Sequence, residues 1–155
     1  MEAAKFTIGD PRQASTRVGA MCGRVHYQKV KEYFEYAKSN GYVVFGHGMT
    51  DMDLPDEFKN GYFLPPTILT NVPHDDKLLT DEIFGPVTIV TKFSTEEEAI
   101  RLANASQYGL CATLWTENIS RANRVAKKLQ VGTIWTNCWM VRDMTMPFGE
   151  LHLYF

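Results

Sequence analysis

The segment TDEIFGPVTIV, residues 80–90, passes from an acidic pair through a glycine–proline turn into an apolar run. The run is rich in β-branched residues and therefore predicts a buried strand. Because side chains alternate in an extended segment, we expect Glu82 and Phe84 on one face and Ile83 in the core. The glycine and proline bend the chain, so we expect the pair at the mouth of a strand, where α/β sheets hold their ligands.

A carboxylate beside an aromatic ring suits a polyol that is joined to a flat heterocycle. Glu82 can accept hydrogen bonds from two vicinal hydroxyls, and the ring of Phe84 can pack against a planar cofactor. The same spacing also fits a solvated glutamate beside a core phenylalanine, and the local pattern alone favours this second interpretation.

Helices and short apolar strands alternate along the rest of the chain. Apolar residues at spacings of three and four predict a helix over residues 26–38, with lysines and glutamates on its other side. Further strands are expected in YVVFG (42–46), PPTILTNV (65–72), LCATLWT (110–116) and TIWTN (133–137). This order predicts an α/β layered domain with a largely parallel sheet and helices on both faces. No linker divides it, so we expect one domain over residues 1–149.

Two later helices carry start signals. Ser94, with Glu97 three residues further on, predicts a capping box at the start of TEEEAIRLAN. Asn118 or Ser120 can cap the next helix, ISRANRVAKKLQ. We expect Ile119 on the apolar side of that helix.

Composition and charge exclude several classes of protein. The 155 residues carry a net charge of −2, and no basic stripe is present, so a nucleic-acid partner is not expected. Apolar runs are far shorter than the roughly 20 residues of a membrane span, and the first residues lack a signal layout, so we expect a cytoplasmic protein without a membrane partner. Cys22, Cys111 and Cys138 are scattered, as in a reducing compartment. The histidines lack ligand spacing, so we expect no metal site.

A second unusual segment, WTNCWMVRDMTMPFG (residues 135–149), follows the last expected strand, where α/β folds place substrate loops. Arg142 lies there among apolar residues, and its guanidinium would donate two parallel hydrogen bonds to a carboxylate. An exposed arginine paired with Asp143 is an equally good interpretation. Neither a GxSxG elbow nor a phosphate-binding P-loop occurs in the sequence.

Several motifs together carry a family resemblance. GYFLPPTILTNV, TDEIFGPVTIV, TEEEAIRLANASQYGL, RANRVAKKLQVGTIWTN and PFG occur in this order. From about Ile8 to Gly149 the chain resembles the C-terminal part of the catalytic domain of the aldehyde dehydrogenase superfamily. The resemblance implies NAD(P)-dependent oxidation of an aldehyde to an acid, with NAD as cofactor. It also implies that Glu82 holds the ribose hydroxyls of the cofactor and that Phe84 lies beside its nicotinamide.

Within that superfamily, the segment GTIWTNCW followed by an arginine most resembles the 2-aminomuconic semialdehyde dehydrogenases, with betaine aldehyde dehydrogenases next. By this resemblance Arg142 would bind a carboxylate of a dicarboxylic semialdehyde. Asn137 would lie in the substrate-side loop and help to position this small-molecule aldehyde.

The sequence also departs from the family pattern. The family's nucleophilic cysteine stands in a GQxC segment that has no match here, and Cys22 does not fit that motif. After Gly149 the residues 150–155 diverge from the family's PFGG continuation. We therefore expect a truncated member without catalytic residues of its own and without turnover. The alternatives are a non-catalytic binding or structural protein that self-associates as a homo-oligomer, and a piece of a longer gene product.

Overall fold

The computed structural model describes residues 2–46, 52, 54–147 and 149, without the side chain of Val43, so the divergent tail 150–155 lies outside the described residues. The chain divides into two compact units, Met1–Thr91 and Lys92–Phe155. The helices are α1 (Arg24–Ser39), α2 (Lys77–Thr80), α3 (Glu96–Ala103) and α4 (Ile119–Ala126). The strands are β1 (Val43–Gly46), β2 (Thr67–Thr70), β3 (Val87–Val90), β4 (Cys111–Leu114) and β5 (Thr133–Thr136). Short 3-10 helices lie at Ala3–Lys5 and Asp56–Phe58.

Each unit contains a small sheet. In the first unit the strand order is β1-β2-β3, with β1 antiparallel to β2 and β2 parallel to β3. In the second unit β4 and β5 pair in parallel, with α4 in the connection between them. Parallel neighbours need such a crossover connection, and this is the alternation that the sequence predicts. The α/β class is confirmed, although the described strands form two sheets and β1 runs antiparallel to its neighbour.

Helix α1 covers the predicted span and supplies one side of the core. Its apolar stripe buries Val30, Phe34 and Ala37. These residues pack with Leu64, Leu69, Val72, Leu78 and Ile83. The helix ends at Ser39, and Gly41, which follows the C-cap Asn40, has a left-handed φ of 72° that favours glycine. The Gly41 N–H donates to Lys38 O and the Tyr42 N–H to Ala37 O, both at 3.1 Å, which is the pattern of a Schellman motif.

A buried carboxylate cluster joins α1 to the start of α2. Asp76 is buried and caps α2 by accepting from the Leu78 N–H at 2.8 Å. The hydroxyls of Tyr36 (3.0 Å) and Tyr42 donate to its other oxygen. The ammonium of Lys77 lies 3.9 Å from the centre of the Tyr36 ring. A buried charge is tolerated here because several donors satisfy it.

Because of the Asp76 cluster, we expect the folded protein to lose stability in acid. Burial, the largest influence, raises the pKa of Asp76, but hydrogen bonds from the Leu78 N–H, Tyr42 and Tyr36 together hold it below 3.8. A carboxyl with a lowered folded pKa stabilises the fold above its ordinary value and loses that contribution as the pH falls through the folded value. We expect Asp76→Asn to lower the free energy of unfolding at neutral pH by about 1–3 kcal/mol. The variant should also flatten the decline below about pH 4.

Urea unfolding at several pH values checks this expectation. The exposed neighbour Asp75→Asn is the matched control and should keep the wild-type decline in acid. Equal pH dependence in both variants would contradict the role given to Asp76.

The cap of α3 differs from the predicted one by a single residue. Thr95, not Ser94, is the N-cap, and its hydroxyl accepts from the Glu98 N–H at 3.1 Å. The Glu98 carboxylate accepts in turn from the Ser94 N–H at 2.8 Å. The predicted pair of Ser94 and Glu97 is therefore wrong, because it is Thr95 that adopts the extended backbone of an N-cap.

Helix α4 resolves an alternative that the sequence leaves open. Asn118 is its cap, accepting from the Arg121 N–H at 2.9 Å. Ala122 and Val125 form the buried face. Ile119 is 73% exposed, so its expected place on the apolar side is wrong. As the first residue of the helix, it lies outside the stripe that the next turn buries.

No helix in the described part of the chain has the length and apolar character that crossing a membrane requires.

Candidate functional site

The segment Asp81–Gly85, called here the 81–85 turn, leads from α2 into β3 and carries the predicted cofactor residues. Ile83 is 6% exposed and belongs to the core, whereas Phe84 is 73% exposed and Glu82 is also exposed. The burial of these three residues follows the predicted alternation. The carboxylate and the ring are therefore both accessible to a ligand.

The chain bends at Gly85 and Pro86, as the sequence predicts. The residue before them, Phe84, has a φ of 59°, in the left-handed region. A left-handed conformation costs a residue with a side chain roughly 1–2 kcal/mol. Such strain persists only where surrounding contacts impose it, and it is concentrated at functional sites. Asn137, another predicted site residue, also has a positive φ, of 55°.

Two polar side chains of α1 hold the backbone of the turn. The Nε2–H of His26 donates to Phe84 O at 2.6 Å, and the ammonium of Lys29 donates to Glu82 O at 2.9 Å. The His26 and Phe84 rings also meet edge to face, with centroids 6.1 Å apart. Both carbonyls are thus fixed while the two side chains of the turn project outward.

Two further contacts from α1 hold the ends of the turn. The Tyr33 hydroxyl donates to Asp81 Oδ2 at 2.7 Å. Gly85 lies directly against Val30, and a Cβ built on Gly85 would stand 2.5 Å from Val30 Cγ1. That distance is too short for any side chain, so glycine permits the close approach between turn and helix.

The exposed groups of the turn fit the cofactor that the resemblance implies. Within the described ranges no hydrogen bond or ion pair occupies the Glu82 carboxylate, so both oxygens can accept from vicinal hydroxyls. The rings of Phe84 and His26 meet edge to face, and most of the Phe84 side chain stays exposed and available to a planar group. A nicotinamide ribose and its ring match these two groups in kind.

Asn137 fastens the ends of β4 and β5 together. Its backbone N–H donates to Leu114 O at 2.8 Å, continuing the ladder of the second sheet. Its side-chain amide accepts from the Thr116 N–H and donates to Thr116 O, both at 2.8 Å. One oxygen lone pair and one N–H of the amide remain for a substrate. The substrate role of Asn137 therefore stays a prediction, beside a structural role that is plain.

The loop after β5 is folded back on that strand. The indole N–H of Trp135 donates to Val141 O at 2.8 Å, and the rings of Trp135 and Trp139 meet edge to face at 5.0 Å. Arg142, the residue after Val141, is exposed. Thr145 donates to Asp143 from its N–H and its hydroxyl, and these bonds lower the pKa of Asp143. Binding of a substrate carboxylate by Arg142 stays a prediction.

A cavity of about 350 Å³ lies in the second unit, between the start of α3 and the end of β4. Phe93, Trp115, Glu96 and Arg121 are among its lining residues. Neither Asn137 nor Arg142 lines this cavity. In the part of the chain that the structure describes, no group of three or more His, Cys, Asp or Glu side chains is placed to hold a metal ion.

Sequence reasoning missed the role of α1 at the turn. The lysines of the helix are expected on its solvent side, yet Lys29 reaches Glu82 O. The spacing of His26, Lys29, Val30 and Tyr33 along one face of α1 is the signal that could have found them.

Comparison with known proteins adds independent information about the chain. The aldehyde dehydrogenase family profile matches residues 1–151. The 2-aminomuconic semialdehyde dehydrogenase of Mus musculus is 42% identical over 95% of this chain, and that of Danio rerio is 46% identical over 95%. The chain spans 30% of the length of each of these curated relatives.

Solved structures of the same family share the fold. Betaine aldehyde dehydrogenase from Staphylococcus aureus, in complex with NAD+, is 35% identical and superposes with a TM-score of 0.86 over 96% of this chain and 29% of its own. A variant of an aldehyde dehydrogenase from Bacillus cereus is also 35% identical, with a TM-score of 0.85 over 96% of this chain and 29% of its own. With its motifs, its fold and its family match in agreement, this chain belongs to the aldehyde dehydrogenase family.

Proposed function

We propose that this chain contributes cofactor- and substrate-contacting surface to NAD(P)-dependent aldehyde oxidation, with NAD as cofactor. Residues 1–149 would then be the C-terminal part of a catalytic domain. The observation that supports the cofactor role best is the 81–85 turn, which leaves the Glu82 carboxylate and the Phe84 ring exposed while α1 holds its backbone. A family neighbour was crystallised with NAD+, which supports the choice of cofactor.

In this proposal Glu82 binds the ribose of the cofactor and Phe84 packs beside the nicotinamide. The carboxylate would accept from the two hydroxyls, and the ring would hold the pyridine in place. NAD, when bound, supplies the hydride acceptor for oxidation of the aldehyde. The chain's own contribution is to bind and orient it.

The substrate side is proposed to involve the loop after β5. Arg142 would bind a carboxylate of a dicarboxylic semialdehyde, since its guanidinium matches that group with two parallel donors. Asn137 would place the substrate with the part of its amide that Thr116 leaves free. The proposal is supported by the names of the relatives, which act on 2-aminomuconic semialdehyde.

The 155-residue polypeptide is proposed to be inactive by itself. Thiolate attack on the aldehyde is the covalent step of the family's chemistry, and the cysteines of this chain do not lie in the GQxC segment that carries it. A broad panel of aldehydes, with NAD and with NADP, should give no absorbance of the reduced cofactor above background. Sustained turnover would refute the proposed inactivity.

The three cysteines are free thiols, which supports our proposal of a cytoplasmic, reducing location.

Binding of NAD tests the cofactor role separately from turnover. We expect weak binding to the purified polypeptide, because the turn supplies only a fraction of the contacts that hold a dinucleotide. Titration followed by NMR should shift the signals of Glu82 and Phe84. Glu82→Gln should weaken binding about tenfold, equivalent to about 1.4 kcal/mol. The exposed Glu35→Gln on α1 is the charge-matched control and should bind like the wild type.

An exposed apolar segment favours a second candidate function, a non-catalytic protein that self-associates. Large apolar side chains are exposed after β5, at Trp139, Met140, Val141, Met144 and Met146. Exposed apolar side chains of this kind favour association between copies. Sedimentation at several concentrations distinguishes the candidates, since a strictly monomeric chain would contradict association through this segment.

A further inference from the structure

We propose that His26 and Lys29 are positioning residues, which hold the 81–85 turn in the one conformation that presents Glu82 and Phe84 together. The purpose of this arrangement rests on the cofactor role proposed above. The arrangement itself rests on contacts within the first unit alone.

Three consecutive residues of the turn are fixed from the same side. Lys29 holds the carbonyl of Glu82 at 2.9 Å, the core holds the side chain of Ile83, and His26 holds the carbonyl of Phe84 at 2.6 Å. His26 and Lys29, which donate to these two carbonyls, lie about one helical turn apart on α1, so the helix fixes the spacing between them. The turn consequently has little freedom to rotate about either peptide.

The left-handed backbone of Phe84 is the reason that such contacts matter. A bulky residue leaves that region unless its surroundings impose it. His26 acts on both parts of Phe84, because its Nε2–H binds the carbonyl and its ring packs edge to face against the phenyl ring. The Nε2 nitrogen must therefore carry a proton, since a carbonyl oxygen can only accept.

Both donors use backbone oxygens and leave the side chains of the turn available. The Glu82 carboxylate keeps its capacity to accept, and the phenyl ring of Phe84 stays accessible. Core packing of α1 comes instead from Val30 and its apolar neighbours. Because His26 is only half-buried and Lys29 is exposed, their loss should alter the turn more than the stability of the fold.

NMR of the isotope-labelled 155-residue polypeptide tests the proposal. His26→Ala should shift or broaden the amide signals of Phe84 and Gly85, with the urea midpoint close to that of the wild type. His26→Gln should restore those signals, because its amide nitrogen can donate at a similar reach. Lys29→Met should move the signals of Glu82 and Ile83, whereas the control Lys38→Met at the far end of α1 should leave them unchanged.

Unchanged signals at the turn in His26→Ala would overturn the proposal. So would failure of His26→Gln to restore them, or an urea midpoint that falls as far as in Val30→Ala, since either result makes His26 merely structural. These outcomes are independent of any ligand.

Adding NAD to the same samples separates this inference from the proposed function. If NAD perturbs the Glu82 and Phe84 signals of the wild type, and perturbs them at least fivefold less in His26→Ala, the positioning role and the cofactor role are both supported. Equal perturbation in the two proteins would overturn the positioning role while the cofactor role stands. If NAD perturbs neither protein, the cofactor role fails, and the ligand-free signals of the turn still decide whether His26 and Lys29 position it.

Discussion

Leu69→Ala is expected to lower the free energy of unfolding of the first unit by about 2–5 kcal/mol. Leu69 is 1% exposed and lies on the central strand β2, opposite Val44 on β1 and Ile89 on β3. Truncation removes buried methyl groups and leaves a cavity between the sheet and α1, which the paired strands cannot collapse to fill. Urea unfolding followed by far-ultraviolet circular dichroism measures the loss.

A domain of this size has a total stability of roughly 5–15 kcal/mol, so Leu69→Ala could leave part of the sample unfolded. Leu69→Val is the gentler companion and should cost about 1 kcal/mol. Val90→Ala, at an exposed apolar position on β3, is the matched control and should cost less than about 1 kcal/mol. Similar losses at Leu69 and Val90 would contradict the assignment of the core.

Gly85→Ala is expected to lower the free energy of unfolding by about 1–3 kcal/mol, since overpacking a filled core forces neighbours to shift. The added methyl would lie 2.5, 3.0 and 3.3 Å from Cγ1, Cγ2 and Cβ of Val30, which is completely buried. A buried valine has no room to withdraw, so the turn must move instead. The same substitution should therefore displace the amide signals of Phe84.

A double-mutant cycle isolates this contact. Val30→Ala alone should cost about 2 kcal/mol as a cavity, yet combined with Gly85→Ala it supplies the space that the new methyl needs. The double variant should be more stable than the sum of the two single losses predicts, by about 1 kcal/mol or more. Gly19→Ala, whose new Cβ would meet only Pro11 Cβ at 3.8 Å, is the control. Additive losses would show that Gly85 does not depend on Val30.

Local patterns in the sequence predict much of the secondary structure. The apolar spacing of residues 26–38 corresponds to the helix α1, because it depends on residues within a few positions of one another. The cap of α3 shows the limit of such patterns. Ser94 and Thr95 can both cap, and Glu97 and Glu98 can both reach back, so only the backbone conformation distinguishes the two pairs.

Contacts over long separations in the chain were beyond those patterns. The short helix α2 and its Asp76 cap depend on hydroxyls from Tyr36 and Tyr42, which lie 40 and 34 residues away. An isolated four-residue helix would not form in water, since nucleation costs more than so few hydrogen bonds return. Tertiary packing therefore decided this element.

The candidate site divides in the same way. Motif and periodicity are local properties of a chain, so the family, the α/β class and the exposure of Glu82 and Phe84 around a buried Ile83 follow from them. The left-handed backbone of Phe84, and the contacts that His26 and Lys29 make with the turn across 58 and 53 residues, emerge only in the folded chain. A strained backbone is imposed by the contacts that surround it, and those exist only once α1 has packed against the turn.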